Sequence, residues 1–446
     1  MSRRAPSGLA ALSIGGVRLT TRGWWFVGAS LGMFVFAYAG GWQELLYIGV
    51  LLAALPVIAI VVVRVRRPRL DVTRSFAPHV IQAGSVASVS LVVRNLAPSR
   101  SIRARWWDAV PWRPFVTPPA ELPALQARGP RFAGRGNSAA LAYDLRPPRR
   151  GVYPVGPLSV EVSDGFGLAT STFVAGVAQP IVVTPEVIPL AESGMTVPAG
   201  DGESRLVQRR ATGDEDDAMT REYRDGDAMR RVHWRATARK GDLMVRQEEQ
   251  RSFPEARILI DTTRAGYRDV SDDTDDEAES EAFEWVVRML ASIAVHLRRT
   301  GFLVTVLDTG IPQFQALDRA QRRTWGDEEF LTGLASLELT DSAPPRRVPS
   351  RAAGPIIAIV GSPEPETLDW LLAQRRPGEL AVAFMVRTVS SLDIINRSFG
   401  VVTSAPVIAE RLTDAGWLVV PVRADDDPAA AWEAVVVETG RARGTG

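Results

Sequence analysis

Cysteine is absent from the 446 residues. That excludes disulfide frameworks, cysteine-ligated zinc, iron–sulfur clusters and thiol catalysis. Histidine is scarce: His79, His233 and His296 lie far apart and offer no HExxH spacing for a metal. Lysine is nearly missing, with Lys240 as its single instance, and the other 51 of the 52 basic residues are arginine. A basic excess is also lacking. The 52 Lys+Arg are balanced by 51 Asp+Glu, a net charge of +1, and nothing points to a nucleic-acid partner. What remains is ordinary for a folded chain, 46% hydrophobic and 23% charged, so global disorder is excluded. The length suggests about three domains at ~150 residues each.

Long uncharged runs are present at one end. Residues 23–43 and 45–63 carry no charge. Each is about 20 residues, enough for a helix to cross a ~30 Å hydrocarbon core. Trp24, Trp25, Trp42 and Tyr47 stand near the run ends, where aromatic belts lie. The link over 40–44 is too short for a domain. Arg3, Arg4, Arg18 and Arg22 precede the pair, and Arg64, Arg66, Arg67 and Arg69 follow it. The positive-inside rule then predicts a hairpin of two transmembrane helices over 23–64 in the cell membrane, with both termini cytoplasmic and 1–22 a cytoplasmic segment. Ala37-Tyr38-Ala39 resembles a signal-peptide cleavage box, but a second span follows directly.

Residues 70–190 read as β. The stretch 86–94 largely alternates apolar and polar, and 141–145 and 158–162 do likewise, between Pro- and Gly-rich turns. This pattern predicts a β-sandwich of the immunoglobulin type. Asp164-Gly165-Phe166-Gly167 reads as a turn. Residues 191–220 read as a linker. Over 252–440 the pattern changes to an α/β, doubly wound, mostly parallel sheet. Strands are predicted at 256–261, 302–308, 355–361, 380–387 and 417–423, and helices at 279–299, 327–337, 366–375, 405–415 and 428–439.

The block 221–251 mixes arginines, carboxylates, Tyr223 and Trp234. A turn at 225–227, a short helix over 228–239 and a strand over 242–246 are predicted. Three roles fit such a block. It can be an internal ion-pair network between the β and α/β domains. It can be a partner-docking surface of arginines and aromatics. It can be a catalytic or phosphate site, for which Asp225, Asp227, His233 and Lys240 supply the chemistry of a membrane-associated hydrolase. No nucleophile–base pair, P-loop or G-x-S-x-G supports that last role, so no catalytic residue is assigned. A further alternative is a lipid-headgroup sensor built on Arg64, Arg66, Arg67 and Arg69.

The same block resembles the signature of the bacterial domain-of-unknown-function 58 family. Arg221, Tyr223, Gly226, Asp227, Val232, Trp234, Thr237, Ala238, Arg239, Leu243, Val245, Arg246 and Glu249 match it in order. Upstream, Arg149-Arg150-Gly151-Val152-Tyr153 and Asp164-Gly165-Phe166-Gly167-Leu168 are similar to another segment of that family. The resemblance implies a two-helix anchor, a β region and a domain similar to von Willebrand factor A. It also implies a MoxR-type AAA+ ATPase as partner, often with a transglutaminase-like membrane protein, in assembling or activating a membrane or envelope complex. The expected function is therefore that of a membrane-anchored interaction protein, not an enzyme. Its candidate docking or interdomain residues are Arg221, Tyr223, Arg224, Gly226, Asp227, Trp234, Arg239, Lys240 and Arg246.

Domains similar to von Willebrand factor A can hold a divalent cation at a D-x-S-x-S loop. Here Asp261 leads the loop and Thr263 can replace the first Ser, but Ala265 stands at the second, and Ser362 stands where an Asp would be expected. The expectation is no cofactor, with Asp261, Thr263 and Ser362 as a degenerate remnant of a cation site.

Overall fold

The uncharged runs form two helices, α1 (Thr21–Gly40) and α2 (Gln43–Val65), both long and apolar enough to cross a membrane. They belong to a computed structural model that describes residues 16–112, 119–128, 136–192, 220–223, 229, 232, 234–246, 255–267, 269, 280–311, 313, 326–341, 354–387 and 404–444. The chain divides into two compact units. One is Met1–Glu186 with Glu328–Ser336; the other is Val187–Asp327 with Leu337–Gly446.

In the first unit, the hairpin turns at Gly41, whose φ of 68° is the left-handed conformation that ends helices without a Cβ penalty. Ser30 Oγ donates to the Gly49 carbonyl across the hairpin at 2.8 Å. Gly49 itself leaves room for the Phe34 ring, which a Cβ there would meet at 3.1 Å.

The β part of this unit is sheet-rich. Its strands are β1 (Val17–Leu19), β2 (Leu70–Ala77), β3 (Val80–Gln82), β4 (Ala87–Asn95), β5 (Ala104–Trp107), β6 (Ala120–Leu122), β7 (Ser138–Leu145), β8 (Gly151–Val155), β9 (Leu158–Ser163), β10 (Ala169–Ala175) and β11 (Gln179–Thr184). They pair as β1-β10-β9-β5-β6, β2-β4-β7 and β3-β11-β8. Alternation decides which face is buried. Along β4, Ala87, Val89, Leu91 and Val93 are buried while the residues between them face out. These side chains share one apolar core with Val160 of β9, Val183 of β11 and, from the helical side, Ala59 and Val63 of α2. Each buried Val or Leu among them contributes about 1.5–3 kcal/mol on burial.

One finding departs from the sequence reading. Val17–Leu19, inside the segment expected to be a plain cytoplasmic N-terminus, adds to β10 as an antiparallel edge strand, with Val17 opposite Ser171. Three residues are too few to show a period, so the strand is invisible in the sequence.

In the second unit, β14 (Glu255–Ile260), β15 (Leu303–Asp308), β16 (Ile356–Val360), β17 (Ala381–Arg387) and β18 (Leu418–Arg423) form a parallel sheet ordered β15-β14-β16-β17-β18. All four pairings are parallel. The order reverses at β14, the switch point beside which open α/β sheets place their ligands. Both faces are covered, which is why these strands read as continuous apolar runs rather than alternating ones. One face, with Leu259, Ala358 and Ala383, packs on Leu368, Leu371, Ile408 and Leu412. On the other, the Phe384 ring meets Trp285 at 6.4 Å and Trp432 at 6.5 Å between centroids. Trp285 lies on the helix Glu281–Arg299, which starts at Ser280, whose hydroxyl accepts from Phe283 N–H at 3.0 Å. The helix Asp327–Ala335, expected in the α/β domain, clusters mainly with the first unit.

Candidate functional site

The signature block folds on a short two-stranded ribbon. Strand β12 (Thr220–Glu222) pairs antiparallel with β13 (Met244–Arg246), placing Arg221 opposite Val245. Tyr223 N–H donates to the Leu243 carbonyl at 2.7 Å and prolongs the pairing. A seven-residue helix, Trp234–Lys240, precedes β13. Gly241 closes it with φ of +83°, and its N–H bonds to the Thr237 carbonyl at 2.9 Å. Thr237 Oγ1 accepts from Met244 N–H at 3.0 Å, tying helix to strand.

This local fold sorts the side chains. Val232, Met244 and Val245 are buried. Trp234 is 67% exposed, and Met229 and Leu243 are exposed with it. Arg239 and Lys240 also face solvent, and neither forms an ion pair among the described residues. Tyr223 is half-buried at the end of β12. Arg221 and Arg246 occupy the two paired strands. Arg224, Asp225, Gly226, Asp227 and His233 lie outside the described residues.

A second cluster sits at the carboxyl edge of the parallel sheet, where β14, β15 and β16 end. Asp261, directly after β14, is fully buried. Its Oδ1 accepts from Thr263 N–H at 3.0 Å, from Thr263 Oγ1 at 2.7 Å and from Thr309 Oγ1 at 2.7 Å. Thr309 follows β15 and was not singled out in the sequence. Its place, one residue past the strand beside β14, is the signal that would have found it. Thr262 Oγ1 bonds the Thr309 carbonyl, and Tyr267 Oη donates to the Asp261 carbonyl at 2.6 Å. Ser362, after β16, touches this loop through its backbone N–H, which donates to the Gly266 carbonyl at 2.7 Å.

Asp261 Oδ2 is buried without a hydrogen-bond partner. Gly266 closes over it so tightly that a Cβ there would lie 2.2 Å away. Burial pushes the Asp261 carboxyl above the usual carboxylate range, and the charge of Glu364 adds to this, while the Thr309 and Thr263 hydrogen bonds oppose it. These donors do not make a hard-cation cage, which needs several free oxygen ligands, usually with more than one carboxylate. Oδ1 is engaged by three donors, and the Thr263 hydroxyl is spent on it. Among the described residues no group of three His, Cys, Asp or Glu converges. The arrangement fastens three loops at the switch point and offers no exposed nucleophile.

The upstream family-like residues are structural in their contacts. Tyr153 Oη donates to the Arg150 carbonyl at 2.7 Å, and Gly151 lies under that ring, where a Cβ would stand 2.6 Å from it. Asp164 builds a turn: its Oδ2 accepts from Phe166 N–H at 2.8 Å and its Oδ1 from Ala169 N–H at 2.7 Å.

Comparison with known proteins gives a family and distant likenesses. No curated protein matches the chain. The CARDB domain of PF1109 from Pyrococcus furiosus is similar at 15% identity, over 25% of this chain and 95% of that one, with a TM-score of 0.17. A second structure of that domain, in complex with di-metal ions, shows 18% identity over 25% of this chain and 89% of that one, with a TM-score of 0.15. A cycloisomaltooligosaccharide glucanotransferase from Paenibacillus sp. shows 10% identity over 80% of this chain and 53% of that one, with a TM-score of 0.18. Likenesses this distant bear on neither fold nor function. Residues 219–307, which contain both the ribbon-and-helix segment and the Asp261 loop, match the family described as Protein of unknown function DUF58.

Proposed function

We propose that this protein is a membrane-anchored, cytoplasm-facing interaction protein that captures a partner through its signature segment. The partner that the family resemblance implies is a MoxR-type AAA+ ATPase, and the process is assembly or activation of a membrane or envelope complex. A transglutaminase-like membrane protein is the second partner implied in the same way. The observation that carries the reading is the exposure of Trp234 on a helix that also presents Arg239 and Lys240 to water. An indole two-thirds in solvent forgoes the burial that makes aromatics stabilising. Trp and Arg are the residues most enriched in binding hot spots, where truncation costs about 2 kcal/mol or more.

The anchor reading rests on α1 and α2 and on the arginines that flank them. A von Willebrand factor A-like reading of the second unit is supported by its parallel order and by the Asp–x–Thr loop at the switch point.

The test is affinity capture of the full-length protein from gently solubilised native membranes, read by mass spectrometry. Wild type is compared with the double variant Trp234→Ala, Arg239→Ala. An AAA+ ATPase recovered with wild type and lost with a folded double variant is the expected result. Equal recovery with both would remove the signature helix from the docking role, and failure of any AAA+ ATPase to co-purify with wild type would remove the partner.

A further inference from the structure

We infer that the turn Asp164–Leu168 is a membrane-contacting element whose Phe166 enters the headgroup zone of the bilayer, so that the β part of the first unit is seated on the lipid surface. The inference rests on the anchor reading above. It starts from how the turn is joined to α1. Thr20, the N-cap of that helix, donates its hydroxyl to the Gly167 carbonyl at 2.6 Å and its N–H to the Leu168 carbonyl at 2.9 Å. The same hydroxyl accepts from Gly23 N–H at 3.2 Å. Gly23 lets the two elements meet: a Cβ there would lie 2.3 Å from the Leu168 carbonyl oxygen. The β part is thus fastened to the first turn of the helix.

The helix end fixes the depth. Twenty residues at ~1.5 Å each give α1 about the ~30 Å thickness of the hydrocarbon core, so Thr20 stands at one boundary. Trp24 and Trp25, both exposed, mark that boundary as an aromatic belt would. Consecutive Cα atoms are ~3.8 Å apart, so Phe166 lies within one residue of a group bonded to Thr20. Phe166 is 73% exposed although the turn around it is rigidly built. Asp164, itself buried, holds the Phe166 and Ala169 N–H groups, and Gly167 takes φ of +68° to complete the reversal. A well-bonded turn holds this aromatic ring out of the apolar core and presents it beside the first turn of α1.

The charges around it fit the same partner. Exposed Arg18 precedes the helix and exposed Arg22 stands in its first turn, while Arg64 lies in the last turn of its mate and Arg66, Arg67 and Arg69 follow it. Arg22 Nη1 comes within 3.9 Å of where a Gly167 Cβ would stand. Arg67 donates to Ser171 Oγ on β10 at 2.9 Å, which fastens the exit of α2 to the strand that follows the turn. Guanidinium groups at the ends of both helices, with Arg22 beside the turn that carries one exposed phenyl, suit an anionic lipid surface with the apolar ring below the phosphates.

The chain's lack of cysteine makes the test direct. Single cysteines are introduced in the full-length protein at Phe166→Cys, Leu51→Cys and Val152→Cys, and each is labelled with an environment-sensitive fluorophore. The proteins are reconstituted in vesicles of phosphatidylcholine and phosphatidylglycerol carrying nitroxide lipids, labelled either at the headgroup or along the acyl chain. Leu51 is an exposed residue of α2 and Val152 an exposed residue of β8. The expected result is that position 166 loses most of its fluorescence to the headgroup nitroxide, position 51 to the acyl-chain nitroxide, and position 152 to neither. Quenching at 51 with position 166 no more quenched than 152 overturns the inference and leaves the anchor standing. No quenching at 51 overturns the anchor and the inference with it. Gly165→Cys, where a Cβ meets nothing within 4 Å, repeats the measurement with Phe166 intact.

Discussion

Among the described residues Asp108 and Asp261 are the carboxylates at 0% exposure, and the two units treat them differently. Asp108, in the sheet-rich unit, receives the Arg74 guanidinium at 2.9 and 2.8 Å through Nη2 and at 3.2 Å through Nε. Tyr143 Oη adds a third donor at 2.8 Å, and burial beside this carboxylate pushes the Tyr143 phenol far up. Asp261, in the α/β unit, has hydroxyls and a backbone N–H on one oxygen and nothing on the other. A buried charge is tolerated when a counterion and hydrogen bonds replace its water; without a counterion the carboxyl keeps its proton instead. The first unit therefore uses Asp108 as a charged tie between β2, the chain after β5 and β7. The second uses Asp261 as a hydrogen-bonding hub whose carboxyl burial pushes above the usual carboxylate range.

The largest effect is expected where the counterion is lost. Asp108→Ala strands Arg74 in a site where its side chain is 1% exposed, and removing one partner of such a pair costs about 3–5 kcal/mol. Denaturant unfolding of the full chain in detergent would measure this. Replacing both partners with apolar residues of similar volume is expected to cost much less, because no charge is left unpaired. Equal losses in the single and double variants would show that packing, not charge, dominates the site.

A smaller and pH-dependent effect is expected at Asp261. Its folded carboxyl titrates above the ordinary range. At low pH both folded and unfolded forms carry the proton, and the residue contributes no pH dependence. As pH rises through the ordinary carboxylate range, the unfolded form ionises while the folded form does not, so stability falls until the folded carboxyl also ionises. The slope within that window is about 1.4 kcal/mol per pH unit. Asp261→Asn keeps the oxygen that accepts from Thr263 and Thr309 but cannot ionise. Its stability relative to wild type should therefore improve as pH rises through the ordinary carboxylate range, until the folded wild-type carboxyl ionises. A difference independent of pH would show that Asp261 is charged in the folded protein.

Much of this architecture is legible in the sequence, and what is not has a physical reason. The alternation predicted over 86–94 is β4 itself, Ala87–Asn95, because a half-buried strand must alternate. The five apolar runs predicted after residue 255 are the five strands of the parallel sheet, because burial on both faces removes polar positions. The pairing of Arg74 with Asp108 is not legible. Thirty-four residues separate them, and nothing local to either marks the contact. Thr309 is marked only by its place one residue past the predicted strand 302–308, and it takes the sheet to bring it to Asp261. In the signature block the sequence supplies the residue types and the family resemblance. It leaves open whether Trp234 is core or surface, because a short helix over 228–239 offers too few turns to define an apolar face.

The smallest effect on stability is expected at Trp234, and that is what makes it informative. Large aromatic-to-alanine changes in a core cost about 3–5 kcal/mol. Exposed positions away from special backbone features usually stay within about 0.5 kcal/mol. Trp234 is 67% exposed, and the contacts that fasten its helix run through Thr237 and Gly241 rather than through the indole. Trp234→Ala should therefore unfold at nearly the wild-type midpoint, unlike Asp108→Ala, while losing its partner. A core-sized loss of stability would instead place the ring in an interior contact and return the signature block to the role of an internal tie. Thermal unfolding of the two variants side by side separates these cases before any partner is known, because a residue kept for recognition is conspicuous by how little the fold depends on it.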